Sequence, residues 1–431
     1  MASSQVSKEP VKNPYISRGA IQDPRHFFGR VQETREILDL TSGGQSVSIV
    51  GPRRIGKTSL LLHVRRSAPP VEAGKKTRHL YVFLDLQRKP QASRPEICQW
   101  MWNETLGEAG PVKGLPTAIE SDEEFMKAVG KLCAAGFRLT LLVDEFELMA
   151  QNPQIDFNFF SRLCSLSAAR LVSYVITSRK PLFDLEYSDP SVLRSSFFTV
   201  FHQQRLGFLT QAEARELICK PVENMGFPGF AEEEIRFLFD LAGYHPALLQ
   251  IACYFLFEHK TAGRRWDEQA KSEVRQRFRN SVSDYLHQIW RDLKGDEQEA
   301  MRLICAGQTD NVGSQLWDSL AHQCLVYERK PSSSVFKEFV LQGGRADRKH
   351  GKKPPPTIPD ESPTSENAPV VTIPEERNPP PFLDLSIGGL LLINLVSLLF
   401  SGLFMSSALL YVSAISLVIA VVLALVRSYI R

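Results

Sequence analysis

Residues 46–59 read Ser-Val-Ser-Ile-Val-Gly-Pro-Arg-Arg-Ile-Gly-Lys-Thr-Ser, and this stretch decides the fold. Ser46–Val50 is a short apolar run ending at a glycine, and a helical pattern follows from Lys57 through Arg66, so strand, loop and helix are expected in that order. Gly51-Pro52-Arg53-Arg54-Ile55-Gly56-Lys57-Thr58, with Ser59 behind it, fits the phosphate-loop spacing. Its glycines let backbone N–H groups curl round phosphate oxygens, and the helix start adds its dipole. Lys57 reaches the outer phosphates and the Thr58 hydroxyl suits Mg²⁺. A plain glycine turn before a basic helix is the competing reading, and the flanking strand and helix argue against it.

Working outward, apolar runs recur at Leu80–Leu86, Leu139–Val143, Leu171–Thr177 and Phe198–Phe201, with amphipathic stretches between the earlier ones. That alternation predicts an α/β fold with a mainly parallel sheet and helices on its faces. A phosphate loop needs a second carboxylate for the metal, and Leu139–Val143 runs straight into Asp144-Glu145. Asp144 would hold Mg²⁺ through water while Glu145 polarises the attacking water. Capping the next helix is the plainer use of such acids. Arg179 ends the next apolar run, either sensing the γ-phosphate or standing as a solvated strand-end charge. The chain has no Asn-Lys-x-Asp guanine reader, so ATP and ADP are the expected nucleotides.

These elements assign residues 1–209 to the ATPase domain. From Thr210 the period shifts to that of helices, at Gln211–Asn224, Ala231–Leu241, Pro246–Glu258 and Asp267–Arg279, giving a helical lid over 210–290. Residues 291–342 show two helix-like stretches, Cys324–Glu328, a Pro-Ser-Ser-Ser turn and Val335–Leu341, the order of a winged helix. Ten prolines fall within 343–381, a stiff spacer that opens with the basic cluster Arg345–Lys353. From Leu385 to Val426 there is no charged residue, a run of 42. One helical span needs about 20 residues. Residues 382–431 are therefore expected to form a transmembrane helical hairpin turning near Ser401-Gly402, contacting membrane lipid, with both ends inside. Asn394, in the apolar run, prefers another helix, within the hairpin or in a second copy.

The 431 residues carry 51 basic and 48 acidic side chains, a net +3, with 43% hydrophobic and 23% charged. This balance excludes wholesale disorder and a polybasic nucleic-acid coat. Seven cysteines, odd in number and without a CxxC pair, read as reduced core residues. The polar N-terminus lacks a secretory h-region, placing the body in the cytoplasm at a membrane.

The chain resembles the AAA-like branch of the signal-transduction ATPases with numerous domains over about residues 13–340. The resemblance rests on Asn13-Pro14-Tyr15-Ile16, Phe28-Gly29-Arg30, Gly51–Ser59, Leu142–Glu145, Thr177–Arg179 and Gly243-Tyr244-His245-Pro246. It implies that Phe28, Gly29 and Arg30 lie over the adenine and that the turn at Pro246 closes on the nucleotide. The family's usual repeat array is missing, and so is an identifiable pore loop.

The expected function is a membrane-anchored, slowly hydrolysing ATP switch whose nucleotide state controls domain packing and homo-oligomer assembly. A membrane-tethered motor remodelling protein or nucleic acid is the alternative. DNA binding through residues 296–341 is less favoured, because no basic helix is concentrated there.

Overall fold

The computed structural model describes residues 12–15, 19–68 and 77–343. The spacer from 344 and the apolar hairpin expected at 382–431 lie outside the described residues. Among the described residues, no helix is long and apolar enough to cross a membrane.

Helix α1 (Val31–Ser42) leads into β1 (Ser46–Val50), the phosphate loop and α2 (Lys57–Ser67). Next come β2 (Arg78–Asp85), α3 (Arg94–Ala109), α4 (Asp122–Ala134), β3 (Phe137–Asp144), the single-turn α5 (Glu147–Ala150), α6 (Phe157–Ala168), β4 (Val172–Ser178) and β5 (Phe201–Arg205). The five strands form one parallel sheet in the order β2-β3-β4-β1-β5. Every residue of β1 and β4 is buried, their serines and Thr177 included, as expected of strands covered on both faces. Since all strands run one way, the phosphate loop, Asp144 and Ser178 emerge along the same edge.

The expected strand at Phe198–Phe201 is displaced to Phe201–Arg205. Phe197 and Phe198 instead sit in a 3₁₀ turn, packed into the aromatic cluster around Phe160. Strand β5 lies at the sheet edge and is mostly solvent-facing, so its His-Gln-Gln-Arg sequence carries no apolar signal.

Beyond the sheet follow α7 (Gln211–Asn224), α8 (Glu232–Ala242), α9 (Pro246–Thr261) and α10 (Glu268–Asp292). Thr210 and Glu213 form a capping box that starts α7. Helix α10 runs past the expected end at Arg279 because Val282, Tyr285, Leu286 and Trp290 continue the buried stripe and no glycine or proline interrupts it. Then come α11 (Gly295–Ala306), α12 (Ser314–His322), the antiparallel hairpin β6 (Val326–Tyr327) and β7 (Lys330–Pro331), and α13 (Ser334–Leu341). The last segment, Val335–Leu341 in the sequence reading, is thus helical.

From Leu209 to Val340 these helices share one continuous hydrophobic core. Tyr15 belongs to it: Asn13 donates to the Tyr254 carbonyl at 3.0 Å and the Tyr15 hydroxyl donates to the Ile218 carbonyl. The N-terminal motif therefore docks on the helical part rather than on the sheet. Cys324 makes the reverse excursion, leaving the C-terminal helices to join the buried apolar cluster that includes Val47, Ile55 and Leu206. Each of the seven cysteines is a free thiol.

Candidate functional site: a nucleotide-binding loop at the sheet edge

The loop leaves β1 at Gly51, whose N–H donates to the Ser178 carbonyl at 3.1 Å. A Cβ there would lie 2.6 Å from the Leu206 carbonyl oxygen, so only glycine fits. Ile55 is fully buried and anchors the far side of the loop, while Arg53 and Arg54 are exposed. Gly56 turns into α2 at φ +101°, and Arg54 takes the left-handed region at +62°. Lys57 is buried, with Nζ donating to the carbonyls of Gly51 at 2.7 Å and Pro52 at 3.0 Å. Burial pulls its pKa down, opposed by Glu145, Glu147 and Asp144. Ser59 Oγ accepts from the Ile21 N–H at 3.1 Å, tying the N-terminal segment to α2.

Thr58 Oγ1 donates to Asp144 Oδ2 at 2.7 Å, and Thr177 Oγ1 donates to Asp144 Oδ1 at 2.5 Å. Burial raises the Asp144 carboxyl's pKa, and the two hydroxyl bonds counter the shift. A hydroxyl and a carboxylate oxygen side by side are hard donors that fit Mg²⁺. Glu145 is half-buried in the left-handed region, φ +55°. Its pKa is raised by burial and then by Glu147.

Glu147 was not singled out by sequence, although Asp-Glu-Phe-Glu places it two residues beyond Glu145. It is 5% exposed. Its Oε1 accepts from the Arg179 backbone N–H and, at 3.4 Å, from Arg179 Nε, while Oε2 is buried with no hydrogen-bond partner among the described residues. Arg179 follows the end of β4, at the sheet edge where the phosphate loop emerges, with its guanidinium engaged by Glu147.

The Phe28-Gly29-Arg30 segment lies against the helical part. Phe28 packs on the core shared by α7 to α13, and a Cβ on Gly29 would meet Glu213 at 3.0 Å. Buried Arg30 donates its backbone N–H to Glu213 at 2.7 Å, and its guanidinium bonds Glu33 and the carbonyls of Gly207 and Phe208. Arg30 therefore clamps the connection between β5 and α7. Pro246 occupies the first turn of α9. The neighbouring His245 reaches toward the loop: its Nε2 lies 3.1 Å from the Tyr285 hydroxyl, which donates to the Arg53 carbonyl at 2.9 Å. Tyr285 was not singled out by sequence: it lies beyond Arg279, where the helix was expected to end, and is buried on α10.

A family model described as Novel STAND NTPase 1 matches residues 19–319. The chain belongs to this family. It is a nucleotide-binding P-loop NTPase of the STAND type. Among solved structures, the Walker-type ATPase of Pyrococcus abyssi is similar over 75% of this chain and 98% of its own, at 14% identity and TM-score 0.50, a likeness of fold. The ORC2 protein of Aeropyrum pernix, in ADPNP–ADP complexes, is 16% identical over 75% of this chain and 90% of its own, with TM-score 0.44. Cdc6p of Pyrobaculum aerophilum is 15% identical over 73% and 95%, with TM-score 0.39. No curated protein matches the chain.

Proposed function

We propose that this protein is a slowly hydrolysing ATP switch in signal transduction, tethered to the membrane by the hairpin at 382–431. The observation carrying this reading is the interlock around the phosphate loop. Cys324 shares a buried cluster with Ile55 of the loop, Tyr285 bonds the loop, and Gly243 lies so close to the C-terminal hairpin that a Cβ would meet the Ser332 carbonyl oxygen at 2.1 Å. Residues 291–342, read as a winged helix, would hold the nucleotide site closed until ATP replaces ADP and the released body assembles with other copies at the membrane.

Within the site, Lys57 turns from the loop carbonyls to the outer phosphates, and Thr58 and Asp144 would hold Mg²⁺, which neutralises phosphate charge when bound. Glu145 orients and deprotonates the attacking water, and Arg179 senses the γ-phosphate. Phe28 and Pro246 would flank the base, with Gly29 and Arg30 shaping that side.

The test is the nucleotide content and turnover of the purified full chain. Retained ADP with turnover well below one per second, unchanged by added polypeptide or DNA, is the expected result. Fast, substrate-stimulated hydrolysis would identify a motor instead. Single cysteines at Gly402 and Ser428, in a chain lacking its native cysteines, should label from opposite sides of sealed vesicles if the hairpin spans the membrane.

A further inference from the structure

Tyr285 is a buried tyrosine placed far from the phosphate loop in sequence yet bonded to its backbone. The bonds around it have a defined direction. His245 Nδ1 accepts the N–H of Leu248 at 3.4 Å as the cap of α9, so the ring proton sits on Nε2. Burial holds the imidazole neutral, its pKa lowered to about 3, with Arg30 and Arg54 reinforcing the shift. Nε2–H then donates to the Tyr285 oxygen at 3.1 Å, and the tyrosine hydroxyl donates to the Arg53 carbonyl at 2.9 Å. The Arg54 guanidinium lies over the same ring, 4.7 Å from its centroid.

A trans peptide points its C=O and its N–H in opposite directions. Drawing the Arg53 carbonyl toward α10 therefore turns the Arg54 N–H away from that helix. The arrangement also supports the left-handed conformation of Arg54, which costs a non-glycine residue about 1–3 kcal/mol. Loop N–H groups are the donors that cradle phosphates, so the facing of this peptide bears directly on nucleotide affinity.

Helix α10 is held at a second place. Arg275 bonds Asp240 of α8 at 2.9 Å and both Ser334, at 2.8 Å, and Glu338, at 3.1 Å, of α13. One helix thus touches the phosphate loop, α8 and α13.

We propose that Tyr285, oriented by His245, is a positioning residue for nucleoside di- and triphosphates. It sets the Arg53–Arg54 peptide so that the loop grips phosphate, and it makes the shape of the loop and the seat of α10 one equilibrium. This rests on the nucleotide-site reading above and adds the residue through which the helical part acts on it.

The experiment measures release of a fluorescent ADP from the full chain, with the nucleotide-free thermal midpoint recorded alongside. Tyr285→Phe keeps the ring under Arg54 and removes both hydroxyl bonds, so release should quicken about tenfold. His245→Asn retains a capping oxygen for α9 but is too short to reach Tyr285, and it should quicken release in the same direction. The double variant should be no faster than Tyr285→Phe alone, because both act through one chain of bonds. A purely packing role would lower the midpoint while leaving release unchanged, or would make the two effects add, and either result overturns the proposal. Lys57→Ala separates the two levels. If wild type binds, Lys57→Ala does not, and Tyr285→Phe releases at the wild-type rate, only the positioning role fails; a wild type that binds no nucleotide overturns both.

Discussion

Replacing Gly243 by alanine should unseat the C-terminal helices while leaving the sheet intact. Gly243 follows α8 at φ +59° and ψ −144°, and its N–H closes the helix onto the Phe239 carbonyl at 2.8 Å. An added Cβ would stand 2.1 Å from the Ser332 carbonyl oxygen, where ordinary contact begins near 3.4 Å, so the backbones must part by more than an ångström. Ser332 has little room to yield, since its N–H holds the hairpin by donating to the Leu325 carbonyl at 2.9 Å. The adjacent Ser333 caps α13, and Ser334 bonds Asp240. Backbone strain costs about 1–3 kcal/mol. Overpacking adds about 1–3 kcal/mol. The contacts that can give way are the half-exposed Arg275 pairs, worth about 0.2–1 kcal/mol each, and the edge-on ring contacts of Tyr327 with Phe208 and Tyr244. Relief should therefore come by undocking rather than unfolding. Hydrogen exchange in β6, β7 and α13 should rise by one to two orders of magnitude, with β1 and β4 protected as before. Gly263→Ala is the control, because φ there is also positive, +68°, but nothing lies within 4 Å of the added Cβ. Equal exchange in both variants would refute the reasoning, since the overlap would then contribute nothing.

Glu145→Gln should bind ATP as wild type does while losing at least a hundredfold in turnover, because the amide keeps the shape without the base; unchanged single-turnover hydrolysis would reduce Glu145 to a structural acid. Glu147→Gln keeps an acceptor for the Arg179 N–H but removes the charge facing the guanidinium. Turnover should change while ADP affinity does not, and Arg179→Ala should abolish the difference between Gln and Glu at 147. Stability should fall on acidification below about pH 6.5, where the unfolded His245 takes a proton that the folded one refuses until its depressed pKa of about 3. Within that window the slope is about 1.4 kcal/mol per pH unit. Asp144 and Glu145, with raised values, act in the opposite sense, so the measurement is the difference in urea midpoint between wild type and His245→Asn at pH 7 and pH 5, which should shrink as pH falls.

The phosphate loop, the Asp144-Glu145 strand end and helices α7 to α9 were legible because each is written in a few contiguous residues. Strand β1 is wholly apolar or small and buried on both faces, and α7 carries its start in Thr210 and Glu213. What escaped depends on distant partners. Nothing in His-Gln-Gln-Arg announces an edge strand, since pairing with β1 alone makes it one. Glu147 gains its meaning from Arg179 and Tyr285 from Arg53, contacts across 32 and 232 positions. The family resemblance placed Arg30 and Pro246 near the nucleotide, but the commitment of Arg30 to the Gly207 and Phe208 carbonyls emerges only when the chain closes on itself.

The burial of Cys324 in the cluster that holds Ile55 of the phosphate loop has a consequence for biosynthesis. A ribosome that has released Arg205 has delivered all five strands of the parallel sheet, yet one side chain of the cluster around β1 and Ile55 comes from near the end of the described chain. Until residue 324 emerges, Ile55 and Leu206 have an open flank, and the nascent ATPase half is a client for anything that shields apolar surface. The nucleotide-binding half therefore cannot complete its own core before residue 324 is made, so the two parts of the described chain must finish folding together.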